Sequence, residues 1–148
     1  MSYIRRDAFT MIELVFVIVV LGILAAIAVP KFAATRTDAQ ISKARADISA
    51  IRSAIMTERQ SRLIKGDSAW IPQLSDNNGT LFTGSDVNHT LLLYGVSSGT
   101  TDGHWSRTGV NAYIYKVGSK NCRFAYDGAG KFTLNAADAG TICDNLVN

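Results

Sequence analysis

The sequence predicts an α+β fold: a long N-terminal helix, apolar in its first half and amphipathic in its outer half, packed on a small antiparallel sheet. Three observations predict it. Residues 9–29, FTMIELVFVIVVLGILAAIAV, form an apolar run whose one charge is Glu13 and which Pro30 follows. Ile41, Ala44, Ile48, Ile51 and Ile55 then recur at intervals of 3, 4, 3 and 4, which puts them on one stripe of a helix. Later in the chain, short apolar or alternating segments are separated by turn residues, as in a sheet of hairpins.

The first segment is long enough to cross a membrane. At 1.5 Å per residue, about 21 helical residues reach roughly 32 Å, close to the thickness of a bilayer's hydrocarbon core. Glu13 is the anomaly in it. A carboxylate at the bilayer centre costs about 2.5 to 3.5 kcal/mol on insertion scales, less near a helix end, and such a residue usually has a partner. The octet before the run, MSYIRRDA, is short and basic. A cut between Ala8 and Phe9 creates a positive α-amine four residues from Glu13. On a neighbouring copy, that ammonium would compensate the carboxylate inside a bundle of such helices.

RRDA followed by FTMIEL resembles the type III signal of type IV pilins and pseudopilins, in which a dedicated peptidase cuts before the Phe and methylates the new amine. The resemblance implies that residues 1–8 are a leader ending at Ala8, that Phe9 is the methylated N-terminus and that Glu13 is the assembly acid. It also makes Gly22 and Pro30 helix-weakening positions within the transmembrane, filament-core helix 9–30, loosened at the first and kinked or interrupted at the second. One departure is Ala8, where the family usually has Gly. By the same resemblance the chain is expected to be a structural subunit of a type IV pilus or a type II secretion pseudopilus, with a slight lean to the latter. Its partners would be copies of itself, related pilins, a prepilin peptidase/N-methyltransferase, an inner-membrane assembly platform and membrane lipid, with no cofactor. It would be held single-pass in the bacterial inner membrane, its C-terminal domain outside the cytoplasm, before entering the filament.

Two other classes compete. A monomeric single-pass anchor carrying an outward-facing binding domain explains the length and apolarity of the run. It leaves unexplained the acid, the uncapped Phe-Thr start and the short basic leader. A secretory signal cut after Ala28 meets the small-x-small pattern Ala26-Ile27-Ala28, but its apolar region would be too long and would contain Glu13.

With 148 residues, about 30 of them leader and span, the remainder makes one small domain. The formal charge of +3 conceals an asymmetry: residues 31–65 hold eight Lys or Arg against three acids, and 66–148 hold five against seven. Counting basic residues alone favours the opposite orientation, because Arg5 and Arg6 precede the span while Lys31, Arg36, Lys43 and Arg45 follow it. Orientation rests on the resemblance and on Cys122 and Cys143, the two cysteines of the chain. A small domain gains from such a staple, and pairing would add about 3 kcal/mol and imply an oxidising compartment. The alternative is two buried thiols.

Residues 31–65 continue as helix to a natural stop at Gly66, with Lys43, Arg45, Asp47, Arg52, Glu58, Arg59 and Arg62 expected on the solvent face. Residues 67–90 read as a polar loop anchored by Trp70, Ile71, Leu74, Leu81 and Phe82. Strands are expected at 91–96, 112–117, 122–126 and 131–134, with Asp127-Gly128-Ala129-Gly130 as a hairpin turn. The last segment, 66–148, thus holds the loop, the sheet and a tail tied back through Cys143. The general layout is again similar to a pilin.

No dinucleotide, P-loop, zincin, C-x-x-C or nucleophile-elbow motif is present, and His89 and His104 are isolated, so no enzyme chemistry is expected. Asp127, Asp138 and Asp144 match no oxygen-ligand loop spacing, and no metal site is expected. The basic helix flank invites phosphate binding, but without interleaved aromatic residues nucleic acid is disfavoured as a partner. Asn78-Gly79-Thr80 and Asn88-His89-Thr90 are N-x-[ST] acceptors, each with an acid two residues earlier, Asp76 and Asp86. Both resemble the extended acceptor of bacterial N-glycosylation systems; the alternative, which the composition favours, is chance in a loop rich in Asn, Thr and Asp.

Overall fold

The computed structural model describes residues 9–86 and 89–147, which fall into two compact units divided between Arg36 and Thr37. Helix α1, Met11–Ile64, is a single element. It runs on through Pro30, so of the kink or interruption expected there only the interruption is corrected. A proline removes one backbone bond, and the strong helix formers Ala25, Ala26 and Ala28 just before it hold the remaining ladder. At its C-terminus, Gly66 adopts φ 83°, Asp67 N–H donates to Arg62 O at 2.9 Å and Gly66 N–H to Leu63 O at 3.1 Å. This is a Schellman cap, which satisfies carbonyls that the helix itself leaves open.

In the second unit, Ala44, Ile48, Ile51 and Ile55 are buried as the stripe requires, and Ile41 packs at its edge. The stripe does not stop there. Glu58 and Arg62 continue the 3, 4 spacing and are themselves buried, so the assignment of both to the solvent face is corrected. Their charges are accommodated by pairing: Arg62 Nε donates to Glu58 Oε1 at 2.5 Å and Arg62 Nη1 to Asp67 Oδ2 at 3.1 Å.

The sheet elements are β1 (Thr80–Leu81), β2 (Gly84–Asp86), β3 (His89–Thr90), β4 (Val96–Ser97), β5 (Trp105–Gly109), β6 (Ala112–Val117), β7 (Lys120–Tyr126) and β8 (Phe132–Leu134). β5 to β8 form an antiparallel meander in chain order, while β1 pairs with β4 and β2 with β3. The expected strand at 91–96 is corrected to β4 alone. Leu91 and Leu92 N–H groups are taken by Thr83 O and Phe82 O, and Leu93 and Tyr94 project outward, so no ladder extends through them. β5 was missed because Trp-Ser-Arg-Thr-Gly carries one large apolar residue; as an edge strand it needs only one.

Alternation holds in the central strands. Tyr113, Tyr115 and Val117 of β6 and Cys122, Phe124 and Tyr126 of β7 face the core, where they meet Phe82, Trp105 and Phe132. The rings contact one another closely, with Phe82 and Tyr113 centroids at 4.6 Å and Trp105 and Tyr115 at 4.9 Å. Buried phenols and indole find acceptors: Tyr115 Oη donates to Gln40 O, Tyr126 Oη to Ile71 O and Trp105 Nε1 to Asp47. The hairpin between β7 and β8 is built on Asp127, whose Oδ1 accepts from Ala129 and Lys131 N–H. After β8, residues 135–147 return by two 3₁₀ turns, Ala136–Asp138 and Ile142–Leu146, stapled to β7 by the Cys122–Cys143 disulfide.

Candidate functional site: the apolar helix and its acid

Within the first unit, every large apolar residue from Phe9 to Val29, and Phe32 beyond it, is exposed. The most apolar window of this helix buries none of itself inside the chain. Water penalises such a surface at roughly 25 cal/mol per Å², so the segment favours an apolar environment. It is long and apolar enough to cross a membrane.

Glu13 lies in the first turn of α1. The start of this helix is capped, which corrects the uncapped reading. Thr10 is the N-cap: its Oγ1 accepts from Glu13 N–H at 3.3 Å, while its own N–H and Oγ1 donate to Glu13 Oε2 at 2.9 and 2.8 Å. This reciprocal capping box was legible in the sequence as Thr10-Met11-Ile12-Glu13, the S/T-x-x-E pattern. Both donors converge on Oε2, and Oε1 has no partner within the chain among the described residues. Among the described residues the carboxylate is therefore tied to the helix start through one oxygen only.

Ala8 and Asn88 lie outside the described residues. Gly22 and Pro30 both lie within α1, and nothing within 4 Å would meet a Cβ at Gly22. Asn78 is exposed, ahead of β1. The three aspartates weighed for a cation are committed separately: Asp127 to its own hairpin, Asp138 to Arg123 at 2.9 Å, and Asp144 to Gly140 N–H at 2.6 Å. His104 is exposed and hydrogen-bonds to Thr101 and the Asp102 carbonyl.

An apolar helix with one acid near its start, followed by a disulfide-closed α+β unit, is a pilin-like arrangement. Comparison with known proteins carries this further. Residues 5–29 match the prokaryotic N-terminal methylation motif. Over 90 residues the chain is 37% identical to the type IV narrow pilus major component PilA5 of Thermus thermophilus, an alignment that covers 59% of this chain and 78% of that protein. No solved structure matches the chain. The chain belongs to the type IV pilin family.

Proposed function

We propose that the chain is a structural subunit of a type IV pilus. A prepilin peptidase/N-methyltransferase cuts it between Ala8 and Phe9 and methylates the new amine. The product rests in the bacterial inner membrane, its apolar helix in lipid and its disulfide-bonded unit outside the cytoplasm, until an assembly platform draws it into a filament of copies and related pilins. The observation that carries this reading is the fully exposed apolar helix interrupted by a single carboxylate.

In a filament core that surface is covered by the same surface of other copies. Glu13 is then out of water, and a buried charge is tolerated only when paired. The free Oε1 offers a place for the Phe9 ammonium of a neighbour, while Thr10 retains Oε2. The likeness to a pilus major component favours a pilus over a type II secretion pseudopilus. No catalytic role is assigned.

Intact mass and N-terminal fragmentation of the membrane-extracted native protein test the processing. A start at N-methylated Phe9 is the expected result; an intact Met1 or a start at Val29 overturns it. Glu13→Ala is expected to abolish filaments while leaving the disulfide and the sheet intact, and filaments at the wild-type level from that variant would remove Glu13 from assembly.

A further inference from the structure

Of the eight asparagines in the chain, Asn78 and Asn88 alone have Thr or Ser two residues later, and they alone have an acid two residues earlier. The coincidence of both features at both positions, and of neither at the other six, singles these sites out. The structure describes one of them. Asn78 is exposed in irregular backbone just ahead of β1, and so are residues 76, 77, 79 and 80 around it.

Its neighbour is different. Asn77 Oδ1 accepts from the N–H groups of Gly79 and Thr80 at 3.0 and 2.9 Å, and Asn77 Nδ2 donates to Asp76 Oδ1 at 2.7 Å. Asn111 and Asn135 are likewise committed, to Pro72 O and to Ala137 N–H. Among the described residues nothing engages the Asn78 carboxamide. Asn77 holds the turn, and Asn78 is presented by it.

We infer that Asn78 accepts an N-linked oligosaccharide outside the cytoplasm, an assignment that rests on the orientation proposed above. The donor is a lipid-diphosphate-linked oligosaccharide. Asn78 Nδ2 attacks the anomeric carbon, the new C–N bond replaces the C–O bond to the diphosphate, the lipid diphosphate leaves, and the proton lost from Nδ2 passes to a base of the transferase. An amide nitrogen is a poor nucleophile because its lone pair is delocalised, so the reaction requires a transferase that grips the flanking residues. Thr80 and Asp76 are the groups it would read, and both are on the surface.

Asp76 also has a local role, since its Oδ1 accepts from Thr83 Oγ1 at 3.1 Å. Asp76→Asn retains an oxygen at that position and removes only the charge, which separates the two roles.

The test is localised mass fragmentation of the tryptic peptide 66–107 from the full chain made in its native host, for wild type, Asn78→Gln and Asp76→Asn. The expected result is a mass increment with sugar fragment ions on Asn78, absent in Asn78→Gln and lost in Asp76→Asn. An unmodified Asn78 in the wild type, a glycan on the Thr80 hydroxyl instead, or a glycan that persists in Asp76→Asn overturns the assignment. The N-terminal peptide of the same sample reports processing at Phe9, so a failure of the pilin reading shows separately from a failure at Asn78.

Discussion

Replacing Arg62 by Met while leaving Glu58 in place is expected to cost about 3–5 kcal/mol of folding free energy. The two side chains lie on the core stripe with 7% and 8% of their surface exposed. Glu58 Oε1 receives Arg62 Nε at 2.5 Å, and Glu58 Oε2 has no hydrogen-bond partner among the described residues. Removing the guanidinium therefore leaves an entire buried carboxylate without a donor, and also frees Asp67 from its 3.1 Å contact. Met preserves the apolar stem that Arg62 contributes to packing, so the loss reports the charge and not a cavity. Against a total stability of about 5–15 kcal/mol for a domain, that is about a fifth at the least. The double variant Glu58→Met, Arg62→Met removes both charges and is expected to be neutral or stabilising by about 1–4 kcal/mol. Denaturant unfolding of the full chain in detergent, followed by the fluorescence of buried Trp105, reads both. A single-variant loss under about 1 kcal/mol, the range of an exposed pair, refutes the buried-pair argument, and so does a double variant as unstable as the single one.

Gly66→Ala is expected to destabilise by about 1–2 kcal/mol, because φ 83° is left-handed while no atom within 4 Å would meet the new Cβ. Gly130→Ala should cost more by the same unfolding assay, since its Cβ would fall 2.5 Å from the Trp70 ring as well as at φ 97°. Reduction of Cys122–Cys143, or Cys143→Ser, is expected to remove about 3 kcal/mol; an unchanged thermal midpoint in reductant would contradict it. The Arg123 side chain bonded to Asp138 holds that carboxyl below its usual range. Asp138 thus contributes stability above the ordinary carboxylate pKa, lost as pH falls through its lower folded value. Burial, with Asp47 and Asp102 nearby, pushes the Tyr115 phenol up to about 12. Its contribution is full below about pH 10 and is lost as pH rises toward 12. Unfolding free energy measured across pH, with Asp138→Asn and Tyr115→Phe as references, checks each limb by its flattening.

Much of the α+β outline could be read directly. The apolar run and the Ile41 to Ile55 stripe are local periodicities, and a helix makes local periodicity into a face. The turn at Asp127-Gly128-Ala129-Gly130 and the alternation of β6 and β7 are equally local. What escaped were decisions made by distant neighbours. β5 looks polar because its side chains were judged without the partner strand that orders Trp105 onto Tyr115. The 91–96 segment looks like a strand until its donors are found on Thr83 and Phe82.

The candidate site divides the same way. Phe9, Glu13 and the length of the apolar helix follow from sequence, because apolar surface and an isolated charge have a cost wherever the chain goes. The capping box was also written there, in four adjacent residues. By contrast, only the tertiary structure decided that Glu58 and Arg62 belong to the core. Composition places charges outside, and only the close approach of Arg62 to Glu58 and Asp67 makes their burial tolerable. It likewise decided that Asn77 holds its turn while Asn78, among the described residues, has no partner, because adjacent side chains of one type differ only in what surrounds them.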